Sequence, residues 1–234
     1  MNAVKKIGKW FRNYWYYYKW WVLIIGFFAV VIAFCVINQG KKEPYDVTVL
    51  YCGPHIFGIG EKEELENTLE QIMSSDYDGK NGKCVQINDM TAFTDEQMKE
   101  ALGDEPTASD IMVYSQYSAD LIQKNFSQQV FAGDTVICLV DEYWYKILVG
   151  ANGLVKLEEV LGYRPENLAD EYSVRLSDLE YFGFFDAAQK LPEDTLICFR
   201  RLSTASAFTG KKAAEKNYGY SKTMLRDLFA FKAP

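Results

Sequence analysis

Apolar and polar positions divide this chain into one long apolar run followed by many short ones. Residues 20–37 (WWVLIIGFFAVVIAFCVI) carry no charge. About 20 apolar residues cross the roughly 30 Å of a bilayer's hydrocarbon core, so this run predicts a transmembrane helix. From residue 46 onward the runs are short and alternate in period. Residues 46–52 (DVTVLYC) are β-branched and read as a strand stopped by Gly53-Pro54. Leu65, Leu69, Ile72 and Met73 recur at helical spacing within 61–75, with acids in the first turns. Residues 83–88 predict a second strand, and Thr94 with Gln97 forms a capping-box signature for a helix ending near Leu102. Residues 110–114 (DIMVY) predict a third strand. Residues 117–131 predict a helix with Leu121, Ile122, Phe126 and Val130 inward. A fourth strand, 135–140 (TVICLV), is apolar throughout and reads as central. Residues 141–148 read as a short helix, 154–161 as a short helix or an edge element, 163–177 as turns, 194–199 (DTLICF) as a fifth strand, and 213–231 as a final helix with Met224, Leu225, Leu228 and Phe229 inward. Residues 178–185 fit no template.

Strands alternating with helices predict an α/β domain over 46–234, with a mostly parallel sheet between helices on both faces. The remaining segments are a basic aromatic stretch (1–19), the apolar helix (20–37) and a polar linker (38–45). Lys5, Lys6, Lys9, Arg12 and Lys19 precede the apolar run, with no acid among them. By the positive-inside rule the N-terminus is cytoplasmic, and YWYYYKWW at 14–21 supplies an interfacial aromatic belt. The run is longer than a signal peptide's apolar region, and Asn38-Gln39-Gly40 offers no small-residue cleavage pair. The expectation is a single-pass signal-anchor in the cell membrane, with the domain extracytoplasmic. Of 25 basic residues, 20 follow residue 19, against 32 acids, a balance of −12. That excess argues against nucleic acid as a partner, because phosphate contacts need clustered Lys and Arg.

Candidate chemistry is sparse. In open parallel sheets ligands bind at the carboxyl ends of strands. That rule selects Gly53, Pro54 and His55 after strand one, Ser115 and Tyr117 after strand three, and Asp141, Glu142 and Trp144 after strand four. His55 is the one histidine, so a Cys52/His55 thiol enzyme or a hydrolase would have to use it. No G-x-S-x-G elbow, Walker A run or paired zinc motif occurs. The loop 76–82 (DYDGKNG) fails the calcium pattern at positions 5, 6 and 12 and reads as a tight turn. No metal or cofactor is expected. Cys52, Cys84, Cys138 and Cys198 allow two readings: small buried hydrophobes, or disulfides in an exported domain. Matching runs DTVIC and DTLIC make Cys138–Cys198 the best single pair.

Residues 126–162 (FSQQVFAGDTVICLVDEYWYKILVGANGLVKLEEVLG) resemble a segment of type 2 periplasmic (extracellular) solute-binding proteins. There a helix ends at an "aGD" turn (Ala132-Gly133-Asp134), a strand delivers an acidic loop (Val136 to Asp141), and a leucine-rich phrase follows (Leu148 to Leu157). Ser109-Asp110-Ile111 is similar to that family's entry to the preceding strand. The chain resembles small membrane-anchored extracytoplasmic proteins carrying such a domain. The resemblance implies one lobe of that fold with a partial second, and no assigned activity. The functional expectation is a membrane-tethered, non-enzymatic domain binding a small molecule, a peptide or an envelope protein. The alternatives are a solute receptor for an ABC importer and a cell-surface hydrolase or thiol enzyme.

Overall fold

The computed structural model describes residues 18, 20, 21, 23–33, 45–80, 82–132, 135–203 and 206–234. Residues 1–17, most of the linker and the Gly133-Asp134 part of the "aGD" turn therefore lie outside the described residues, as do 34–37. The chain divides into two units, Met1–Pro44 and Tyr45–Pro234.

In the first unit, residues 23–33 are helical. Their apolar side chains stand exposed, among them Leu23, Ile25, Phe27, Phe28 and Val30. Among the described residues no helix is long and apolar enough to cross a membrane.

The second unit is built on a six-stranded sheet: β1 (Val47–Cys52), β2 (Val85–Asp89), β3 (Ile137–Val140), β4 (Leu168–Asp170), β5 (Ser173–Arg175) and β6 (Leu196–Phe199), in the order β2-β1-β3-β6-β5-β4. β1 pairs in parallel with both β2 and β3. From β3 onward every pair is antiparallel. Four strands thus share one direction and two oppose it. The expected mostly parallel sheet holds for strand direction, but β6 enters antiparallel beside β3, and the β4–β5 hairpin extends that half.

Side-chain alternation along the strands creates two cores. On one face Val47, Val49, Tyr51, Ile137, Leu139, Ile197 and Phe199 pack against α1 (Glu61–Ile72) and the final helix, Ser206–Ala230, through Leu65, Leu69, Met224, Leu225 and Leu228. On the other, Leu50, Cys52, Cys138, Val140, Leu196 and Cys198 meet Phe126, Trp144 and Leu148. The architecture is therefore three layers, helices over both faces of a mixed sheet.

Two elements differ from their sequence pattern. Residues 110–114 belong to a helix, α3 (Ala108–Ser115), not a strand. Thr107 caps it reciprocally with Asp110, satisfying the first free N–H groups. Ile111 and Met112 remain half or more exposed, so this apolar run fills no sheet position. In the next helix, α4 (Ala119–Ala132), Phe126 is buried as its spacing predicts, whereas Leu121 faces out at 63 % exposure. Before both, α2 (Asp95–Leu102) begins at the predicted Thr94/Gln97 box.

Candidate functional site

The carboxyl ends of β1 and β3 adjoin, with the Asp141 N–H donating to the Cys52 carbonyl at 3.2 Å. Asp141 is buried and caps α5 (Glu142–Gly150), accepting from the Trp144 N–H at 3.0 Å and Gln97 Nε2 at 2.9 Å. Burial pushes its carboxyl above the ordinary 3.8 despite those donors. The folded state therefore holds a proton that the unfolded chain has released just above pH 3.8, and stability falls as pH rises through that window, levelling beyond the raised value. Asp141→Asn should remove part of this fall, read as urea midpoints from about pH 4 to 7. An identical pH profile in the variant would place the proton elsewhere. Buried Asp46, raised in the same sense by its burial, accounts for a further share.

Gly53 and His55 belong to a fixed corner at the same edge. A Cβ on Gly53 would sit 2.9 Å from the Tyr51 hydroxyl, so glycine lets that phenol fold over the strand end. The hydroxyl accepts from the His55 N–H at 3.0 Å. His55 Nε2 meets Glu61 at 2.9 Å, and the imidazole packs edge-on against Phe57. Burial opposes ionisation of Glu61, but the Gly58 N–H and His55 hold its carboxyl below the usual range. Cys52 is fully buried, and burial together with the Asp141 charge pushes its thiol far up. That environment disfavours the thiolate a nucleophilic Cys52 needs.

The other candidates separate. Tyr117 joins the edge by backbone, its carbonyl accepting from the Phe93 N–H at 2.7 Å, while Ala92 bonds Gly53. Ser115 ends α3, not a strand, is exposed and donates to the Met112 carbonyl. Pro54 is half-buried between Gly53 and His55. Trp144 is a core residue, tilted on Phe126 with 4.6 Å between ring centroids. Glu142 lines a cavity.

That cavity is a groove of about 380 Å³. Val174 belongs to the first core, so alternation along β5 sends Ser173 and Arg175 to the opposite face, beside α5. Glu142, Tyr145 and Lys146 of α5 form one wall; Ala169 and Asp170 of β4, Ser173 and Arg175 of β5, Asp194 and Leu196 complete it. Asp170 is held in place by the Tyr145 hydroxyl at 2.6 Å, Ser173 Oγ at 2.9 Å and the Tyr172 N–H at 2.8 Å. Lys146 pairs with Glu142 at 2.7 Å. Arg175 and Asp194 form no side-chain hydrogen bond or ion pair with the described residues, leaving one cation and one anion for a ligand. A smaller hollow, about 180 Å³, adjoins Asn167 and Phe231, but its Glu180 and Lys232 already pair with each other.

No protein-family model, curated protein or solved structure matches this chain.

The resemblance of residues 126–162 therefore rests on its motifs alone. Within that segment the structure forms α4, β3 and α5, while Ser109-Asp110-Ile111, read as the entry to a strand, lies in the helix α3. Among the described residues all strands fall in one sheet, with no second sheet for a second lobe. The turn-rich loop after α1 gathers Asp46, Asp76 and Asp78 with their oxygens within 4.8 Å. Each carboxylate already accepts backbone N–H groups: Asp46 from Asp78, Asp76 from Gly79 and Gly82, Asp78 from Lys80. These bonds serve the turn. Sequence reasoning missed Tyr145, Lys146, Asp170, Arg175 and Asp194, because the groove depends on a hairpin whose strands are three residues each.

Proposed function

We propose that this protein is a membrane-tethered extracytoplasmic domain that binds a small charged molecule or a peptide end without chemical turnover. The groove beside α5 carries the reading. Its volume suits small-molecule sites, which run from about 300 to 1,000 Å³. Arg175 and Asp194 supply opposite charges that no described side chain neutralises. The non-enzymatic part is supported by His55 being held by Glu61 and by the burial of Cys52. Arg175→Ala is expected to weaken binding at least about tenfold, since a hydrogen bond to a charged group contributes about 1.5–3 kcal/mol. Equilibrium dialysis against a ligand found in the wild type measures this, and equal affinity in the variant would remove the groove as the site.

The tether is supported by the charge asymmetry around residues 20–37 and by the exposed apolar side chains of 23–33. A helix apolar on every side is at home in lipid. Protease added to intact cells should cleave residues 45–234 and leave the N-terminus protected. Cleavage only in inverted vesicles would reverse the orientation.

A further inference from the structure

A pair of thiols sits under the groove floor. Cys138 of β3 and Cys198 of β6 are direct register partners. Both are completely buried, point into the same core and carry free thiols in the structure. The Cys138 thiol donates to the Val136 carbonyl at 4.0 Å. Burial raises both thiols, and Cys198 stands well above its usual value, while neighbouring Cys198 and the Arg200 charge bring Cys138 below its own. Opposed residues in antiparallel strands have Cα atoms about 4.5–5.5 Å apart, inside the roughly 4.4–6.8 Å a disulfide needs. The other two cysteines among the described residues, Cys52 and Cys84, lack this geometry. Cys52 faces Val140 across β1 and β3, and Cys84 precedes β2. Ser173, the partner of Cys198 on its other side, and Tyr145 of the same core line the groove, but neither thiol does, so a disulfide reaches the pair only when the sheet opens locally or before the fold closes.

We propose that Cys138 and Cys198 form a dithiol–disulfide couple, oxidised by exchange with a small disulfide while the pair is uncovered, during folding or a local opening of the sheet. One protein thiolate attacks a sulfur of the oxidant's S–S bond, giving a mixed disulfide and one released thiolate. The second protein thiolate attacks the protein sulfur of that mixed disulfide and releases the other. Two cysteine S–H groups are oxidised to one S–S bond, the oxidant is reduced to two thiols, and the two protons pass to those thiols. The cystine links β3 to β6 across the boundary between the parallel and antiparallel halves of the sheet. That an oxidising compartment meets the couple rests on the extracytoplasmic reading; the chemistry itself does not.

The test uses the full chain in detergent, incubated with glutathione disulfide, both folded and during refolding from urea. Free thiols are then alkylated, and the intact and digested protein is weighed. The expected result is a loss of two hydrogens, with a peptide pair joined through Cys138 and Cys198, both reversed by dithiothreitol. Cys138→Ser should abolish the link. Failure to link in the folded and refolding samples alike, a link through Cys52 or Cys84, or a link surviving Cys138→Ser would overturn the proposal. Because the assay is independent of cellular orientation, a negative result here leaves the protease result untouched.

Discussion

Replacing Trp144 with alanine is expected to destabilise the Tyr45–Pro234 unit by about 4 kcal/mol, within the range for deleting a buried large aromatic. Trp144 is completely buried, tilted on Phe126 and edge-on to Tyr143. It packs the second-face core where α4 and α5 meet the sheet. Its indole Nε1 is buried without a hydrogen-bond partner among the described residues. An unpaired buried donor costs about 1–3 kcal/mol. Phenylalanine keeps a ring against Phe126 and removes that donor, so Trp144→Phe should lose far less than alanine. Urea midpoints of the two variants decide it. Equal losses would show that the indole N–H is satisfied and the packing argument incomplete.

Arg200→Ala should cost a similar amount, about 3–5 kcal/mol, because it strands buried backbone carbonyls at about 1–3 kcal/mol each. Arg200 is 2 % exposed. Its guanidinium donates to the Thr135 carbonyl at 2.7 Å, the Gln129 carbonyl at 3.4 Å and the Val130 carbonyl. Gln129 and Val130 lie in the last turn of α4, whose carbonyls have no partner within the helix and where a positive charge is favoured. One side chain thus joins the end of α4 to the start of β3, while its N–H pairs with Val136 across to β6. Lysine cannot span three carbonyls with one ammonium, so Arg200→Lys should recover only part of the loss. A chemical-denaturation series on wild type, Arg200→Lys and Arg200→Ala measures this, and a fully stable alanine variant would refute the role.

Long, strongly patterned segments were readable from the sequence. The alternation in 46–52, the capping box at Thr94 and the apolar run before Asp141 each correspond to β1, α2 and β3. The matching DTVIC and DTLIC runs meet only at their last residues, Cys138 opposite Cys198, because the two strands run antiparallel. Strand direction was not readable, because a period of two marks a strand without saying which way it runs. Residues 110–114 failed for a different reason. Their apolar, β-like composition is overruled by the Thr107 cap, and no neighbouring strand accepts them. The β4–β5 hairpin escaped notice because Glu171-Tyr172, its two-residue turn, has neither the Gly nor the Asn of common hairpin turns.

The site divides along the same line. Asp141, Gly53 and His55 gather at the sheet edge that the carboxyl-end rule selects, but their polar atoms are occupied by Gln97, Trp144, Glu61 and Tyr51. The unoccupied charges lie one step away, on a sheet face created by the antiparallel half. Glu142 is the residue common to both, at the start of α5.

Ligand capture by the groove is the central claim, and a melting-temperature screen tests it most directly. The full chain in detergent would be heated with pools of small charged metabolites and with short peptides. A ligand present at about 100 times its dissociation constant stabilises the fold by about 2.7 kcal/mol, enough to move the transition by several degrees. The account predicts that at least one pool raises the transition and that Arg175→Ala and Asp194→Ala each diminish the rise. Pools that leave the transition unmoved, or a rise that survives both substitutions, would contradict it.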